Sequence, residues 1–124
     1  HNYYPTDFEW AAAEVPGITQ GRVVAFGVYD SQEATEQLYL VCERPRKMDL
    51  ADQELCEAIK SQVGRHSGVL PAHVGLVPRN TIPKTTSGKL QRVRTKALYL
   101  TLHPRGHLRS GIFDKTITKE AVSL

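Results

Sequence analysis

The chain has no carboxylates over a long central stretch. Between Glu57 and Asp114 there is no Asp or Glu, whereas ten Lys and Arg residues fall in the same interval. Residues 1–50 carry four basic and eight acidic side chains, a net charge of −4. Residues 51–124 carry twelve basic and five acidic side chains, a net charge of +7. A positive half of this kind often faces phosphate or an acidic partner, although a solvated Lys and Arg surface has the same composition.

Other scarcities exclude whole classes of protein. No apolar run approaches the ~20 residues of a membrane-spanning helix, and no charged segment followed by an apolar core indicates a secretory signal. We therefore expect no membrane span and a cytoplasmic location. The 124 residues, 40% of them hydrophobic, suit one soluble domain with its own core. Because the first residue is His1, we expect the chain to be part of a longer protein.

Cysteine is also scarce. Cys42 and Cys56 have thirteen residues between them, which is neither a metal-finger nor a CxxC spacing. We predict that both are small apolar residues of the core, with a disulfide as the alternative. His103 and His107 have the spacing of helical metal ligands, but Pro104 lies between them and disfavours a helix. We predict no metal site.

Apolar spacing and turn residues predict the order helix, strand, strand, helix, strand, helix. A capping box formed by Thr6 and Glu9 is expected to begin the first helix. Residues 21–29 and 37–42 are predicted to form antiparallel strands, and residues 73–77 a third. The expected buried stripes are Phe8, Ala12 and Val15 in the first helix; Leu55, Ile59 and Val63 in the second, which ends at Gly64 or Gly68; and Val93, Ala97 and Leu100 in the third, over residues 90–102.

This order of elements is typical of an α+β domain. We expect a small antiparallel or mixed sheet of about three strands, with a hairpin, covered by helices. The domain is predicted to span residues 1–102. Residues 103–124 show no firm periodicity and are left as a tail of unassigned structure.

A loop of Thr, Ser and Gly ending in Lys89 lies within the acid-free stretch. Such a loop suits an anion, because glycine lets backbone amides turn inward, hydroxyls donate and the ammonium supplies a charge. It is not a P-loop, which needs glycine at position 83 and Ser or Thr at position 90, where this chain has Pro83 and Leu90. An ordinary solvated surface loop is the alternative.

Two segments resemble a known family. Residues 83–92, P-K-T-T-S-G-K-L-Q-R, resemble the final signature motif of the adenylate-forming superfamily and match its P-K-T-x-S-G-K pattern at every fixed position. Residues 2–9, N-Y-Y-P-T-D-F-E, resemble the segment after the interdomain hinge, in the form usual for fatty acyl-AMP ligases. The resemblance covers residues 1–102.

The resemblance implies the mobile C-terminal lid domain of a two-domain ligase. Its parent would activate a fatty acid with ATP and Mg²⁺, both bound mainly by the N-terminal adenylation domain, and pass the acyl group to an acyl carrier protein of a polyketide or non-ribosomal peptide synthase. By itself the domain should be inactive. Lys89 would be catalytic, bridging the attacking carboxylate and the ATP α-phosphate. Supporting roles in the loop fall to Lys84, Thr85, Thr86, Ser87 and Gly88.

Several alternatives remain open. The third helix could use Arg92, Arg94 and Lys96 to dock the carrier protein, or these side chains could simply be solvated. The acceptor could be CoA, as in acyl-CoA synthetases. The chain could also be a pure carrier-docking module or a basic module for phosphate or nucleic acid. Nucleic acid is not the partner we expect, because Tyr99 is nearly the only aromatic residue in the basic half.

Overall fold

A computed structural model describes residues 3–102 and the backbone of residues 111–112. In chain order the elements are α1 (Pro5–Ala12), β1 (Val23–Asp30), β2 (Thr35–Glu43), α2 (Asp52–Ser67), β3 (His73–Val77), α3 (Arg92–Leu102) and β4 (Gly111–Ile112). The first six confirm the predicted order. The short β4 lies in the tail that the sequence analysis left unassigned. The rest of that tail, with His103 and His107, lies outside the described residues.

The strands form one mixed sheet in the order β1-β2-β3-β4. β1 and β2 pair antiparallel, from Val23 opposite Cys42 to Asp30 opposite Thr35. β3 then pairs parallel with β2, and β4 parallel with β3. This sheet, flanked by helices, confirms the predicted α+β class.

Helices cover both faces of the sheet. α1 and α2 pack on one face, against a cluster that includes Val23 and Ala25 of β1. α3 packs on the other face, against Val24 and Phe26 of the same strand. Because successive side chains of a strand point to opposite faces, a strand covered on both sides must be apolar throughout. This explains the unbroken apolar run in β1.

The second helix follows its sequence pattern closely. Leu55, Ile59 and Val63 are fully buried, as predicted. The helix ends at Gly68, whose φ of +78° is the left-handed conformation common after the last helical turn. Gly64, the other predicted end, stays within the helix.

The predicted capping box of α1 is wrong. The helix begins at Pro5, and the N-cap residue is Tyr4, two residues before the predicted Thr6. The carboxylate of Asp7, rather than that of Glu9, accepts the Tyr4 amide at 3.1 Å. Proline suits the first helical position because its missing N–H would have no partner there. Glu9 therefore takes no part in capping the helix, and its side chain is buried.

The predicted apolar face of α3 is only partly correct: Ala97 is exposed, whereas Leu100 is partly buried against the cluster beneath the helix. Val93 is 86% exposed, whereas Thr95, Leu98 and Tyr99 are buried. Arg92 is three residues before Thr95 and seven before Tyr99, so these three side chains share one face. Val93 is rotated by about 100° from Arg92 and faces solvent.

Both cysteines lie in the interior as thiols, as predicted. Burial raises the pKa of the Cys42 thiol far above its usual range, and the charges of Cys56 and Glu9 add to the shift. The Cys42 thiol is therefore not a reactive thiolate at neutral pH. In the part of the chain that the structure describes, no helix has the length and apolar character needed to cross a membrane.

Candidate functional site

The acid-free loop forms a tight hairpin. Lys84 and Leu90 pair as an antiparallel bridge. Inside it, the Thr85 amide donates to the Lys89 carbonyl at 2.8 Å, and the Gly88 amide donates to the Thr85 carbonyl at 2.9 Å. Gly88 has φ +86°, a conformation that costs an L-residue energy, which explains glycine at this position.

Two hydroxyls of the loop, those of Thr85 and Ser87, form contacts within the turn. Thr85 Oγ1 accepts the Lys89 amide at 3.0 Å and lies 3.0 Å from Ser87 Oγ. Thr86 and Ser87 are exposed at the bend. These contacts support a role for the hydroxyls in shaping the loop, which is the role that the resemblance implies for them.

The two lysines of the hairpin, Lys84 and Lys89, are exposed. Among residues 3–102, neither forms a salt bridge with a carboxylate. An ammonium on a flexible stem, without a neutralising neighbour in the described region, can meet an anion that comes from outside. The geometry therefore suits Lys89 to contact an anionic ligand.

A buried carboxylate holds the chain where it enters the hairpin. Glu43 is the last residue of β2, and its side chain is fully buried. Its Oε2 accepts the amide of Ile82 at 3.1 Å, and its Oε1 accepts Arg22 Nη1 at 2.6 Å. The same Arg22 nitrogen donates to Asn80 Oδ1 at 3.0 Å. Ile82 is packed into the cluster beneath α3, so the start of the hairpin is attached to the core.

A second buried carboxylate holds the chain where it leaves the hairpin. Arg92 donates from Nε to Glu9 Oε2 at 2.8 Å and from Nη2 to Glu9 Oε1 at 2.6 Å. Glu9 Oε2 also accepts the amide of Ala25 at 2.9 Å. The hydrogen bonding of Arg92 to the Glu9 carboxylate is the main cause of the raised pKa of the Arg92 guanidinium. Two parallel N–H···O bonds define the direction of the guanidinium as well as its distance.

The three basic residues predicted for carrier docking do not act as one cluster. Arg92 is engaged with Glu9. Arg94 is exposed and donates to Gln91 Oε1 at 3.1 Å, while Lys96 is half-buried. Tyr99 is fully buried and lies 2.7 Å from His73 Nε2, so its ring cannot stack on a nucleic-acid base. Docking through Arg94 and Lys96 stays a prediction.

Sequence reasoning missed both buried carboxylates. It assigned Glu9 to a helix end and gave Glu43 no role. One signal was available. An unpaired buried charge is costly, so a buried Lys or Arg of the acid-free stretch needs a carboxylate from another part of the chain. That signal requires a carboxylate but does not say which one.

No cluster of three or more His, Cys, Asp or Glu side chains that could hold a metal occurs in the described residues.

Comparisons with known proteins identify the class. No family model matches the chain. It is 31% identical over 136 residues to the long-chain-fatty-acid–AMP ligase FadD32 of Mycobacterium marinum. That alignment covers 94% of this chain and 21% of FadD32. It is 37% identical over 97 residues to FadD26 of the same organism, covering 73% of the chain and 16% of that ligase. A putative acyl-CoA synthetase of Caulobacter vibrioides is 35% identical, covering 80% of the chain and 17% of that protein.

Solved structures share the fold. The fatty acid AMP ligase from Legionella pneumophila superimposes with a TM-score of 0.63 at 25% identity, over 80% of this chain and 18% of that one. The McyG A-PCP structure complexed with phenylalanyl-adenylate gives 0.70 at 28% identity, over 77% and 17%.

The chain is therefore a domain of the adenylate-forming superfamily, consistent with the C-terminal domain that the motif at residues 83–92 predicts. Among its homologues are the fatty-acid AMP ligases FadD32 and FadD26. The chain spans about a fifth of the length of these relatives.

Proposed function

We propose that this chain is the C-terminal lid domain of a fatty acyl-AMP ligase. The parent enzyme would activate a fatty acid with ATP and Mg²⁺, release pyrophosphate and pass the acyl group to the phosphopantetheine thiol of a carrier protein. The observation that carries the proposal is Lys89, an exposed lysine at the tip of a hairpin anchored to buried carboxylates at both ends. The likeness to FadD32 supports the choice of a fatty acid as substrate.

Lys89 would act when the domain closes over the N-terminal adenylation domain. The fatty-acid carboxylate and the ATP α-phosphate are both anions, and their mutual repulsion opposes reaction. An ammonium placed between them lowers that repulsion and stabilises the charge that develops at phosphorus. Because Lys89 would reach the site only after closure, the orientation of its hairpin would control the reaction rate.

The test compares two exposed lysines in the full-length parent. We expect Lys89→Ala to lower the rate of acyl-adenylate formation about 100-fold, the usual loss for one electrostatic contact to a transition state. Lys47→Ala is the matched control, because Lys47 is exposed outside the hairpin. Pyrophosphate release with fatty acid and ATP measures the rate. An unchanged rate in Lys89→Ala would contradict the proposal.

The acceptor is tested separately. The parent, ATP and fatty acid are incubated with either CoA or a holo carrier protein, and the acylated product is identified by mass spectrometry. We expect the acyl group on the carrier, consistent with the carrier domain in the A-PCP neighbour. Transfer to CoA would instead favour the alternative, an acyl-CoA synthetase, which the Caulobacter relative supports. The 124-residue chain alone should form no acyl-adenylate.

A further inference from the structure

The Lys89 hairpin, residues 83–91, is held by two carboxylates that lie far from it in sequence. Glu43 binds the amide of Ile82, just before the hairpin, and Glu9 binds the guanidinium of Arg92, just after it. The Gln91 amide also donates to the Pro83 carbonyl at 3.1 Å, which joins the two stems. A shift of either anchor would therefore move the whole hairpin.

Glu9 connects three elements at the edge of the sheet. It belongs to α1, accepts the amide of Ala25 in the edge strand β1, and accepts Arg92 at the start of α3. Since α1 and α3 cover opposite faces, this single side chain joins the two layers across the edge. Its side chain is only 5% exposed.

A buried ion pair is weak evidence for stability, because desolvation offsets much of its attraction. Its geometry is more informative. The two hydrogen bonds between Glu9 and Arg92 leave the guanidinium one orientation, and Arg92 follows Lys89 by only three residues. The pair is thus placed to set the angle at which the hairpin leaves the domain.

We propose that Glu9 is a positioning residue for Lys89 and acts through Arg92 during acyl-adenylate formation, an inference that rests on the proposed function. Glu9 does not touch the reacting atoms. It orients the stem that carries Lys89, so that the ammonium reaches the anions when the domain closes.

Glu9→Gln is the informative variant. Glutamine keeps the size of the side chain and one oxygen for the Ala25 amide, but it loses the charge and the paired acceptance of Arg92. In the full-length parent we expect kcat for acyl-adenylate formation to fall about 10-fold, as expected for a small misplacement, with KM for ATP and fatty acid unchanged. Glu33→Gln, the same change at an exposed turn residue, is the control and should leave both constants unchanged.

The same substitution in a Lys89→Ala background separates positioning from a general effect on the fold. If Glu9 acts through Lys89, Glu9→Gln should cause no further loss when the lysine is absent. An equal loss in both backgrounds would overturn the inference, as would an unchanged kcat in Glu9→Gln.

Amide hydrogen exchange of the parent gives a readout that does not depend on activity. The amides of Thr85, Gly88 and Lys89 are hydrogen-bonded within the hairpin, and Glu9→Gln should accelerate their exchange while α2 stays protected. If Lys89→Ala leaves adenylation unchanged, the proposed function fails, yet faster exchange would still show that Glu9 orders the hairpin. Unchanged exchange in these amides would overturn the inference itself.

Discussion

The tip of the Lys89 hairpin, residues 84–89, and its base, formed by Ile82 and Arg92, are stabilised in different ways. At the tip, Thr85 bonds to residues two to four positions away, and Lys84 and Lys89 are exposed. At the base, the bond from Ile82 to Glu43 spans 39 residues and the pair of Arg92 with Glu9 spans 83. The shape of the tip is therefore local, whereas its orientation depends on distant parts of the chain. A site of this kind combines a free cation with a rigid support.

The base should contribute more to stability than the tip, and this is the largest expected effect. Glu9→Ala leaves the Ala25 amide without its acceptor and Arg92 without its carboxylate, and we expect it to lower the free energy of unfolding by about 2 kcal/mol. The estimate is below that for a fully buried pair because Arg92 is 33% exposed. Lys89→Ala should change the free energy of unfolding by less than about 0.5 kcal/mol. Urea denaturation followed by circular dichroism measures both; equal effects would contradict the contrast.

The interior beside the base should make the fold sensitive to alkali. Burial raises the pKa of Cys42 above its ordinary 9.0 and that of Tyr99 above 10.0. Above about pH 9 the unfolded chain loses protons that the folded chain keeps, so the stability present below pH 9 should fall by about 1.4 kcal/mol per pH unit for Cys42. Denaturation at increasing pH measures the slope. Cys42→Ala should make it shallower, and the same slope in both proteins would contradict this account.

Two glycines sharpen the role of the tip. Gly88 has φ +86° and Gly21 has φ +84°, and an added methyl group would meet no other atom within 4 Å at either position. Each Gly→Ala change should therefore cost about 1 kcal/mol of stability from backbone strain alone. Only Gly88→Ala should also lower acyl-adenylate formation in the parent, because only Gly88 shapes the hairpin. Equal losses of activity in the two variants would contradict a specific role for the tip.

Elements with local signals were predicted well. The stripe of Leu55, Ile59 and Val63 in α2 was correct, as was the turn residue Gly68. Strand β3 begins and ends where the sequence analysis placed it. In each case neighbouring residues alone contain the necessary information, since helical and strand periods repeat over a few positions.

Elements whose orientation depends on distant partners were predicted poorly. Val93 was expected to be buried because it fits the apolar spacing of the helix, but it is exposed. Apolar spacing alone does not show which way a short helix is rotated. The position of Glu9 in an apparent capping box concealed its bonds to Ala25 and Arg92. The Arg92–Glu9 pair joins residues 83 positions apart, so the sequence next to either residue does not indicate it.

The sequence by itself determined which residue types form the candidate site: the acid-free stretch, the glycine at position 88 and the lysine that follows it. These depend on residue types and short spacings, which any reader of the chain can recognise. Only the tertiary structure decided where that lysine points. Two carboxylates from outside the acid-free stretch, Glu9 and Glu43, anchor the hairpin at both ends. Burial makes the contacts of these carboxylates strong and specific. The sequence around each carboxylate does not indicate which distant residue it will bind.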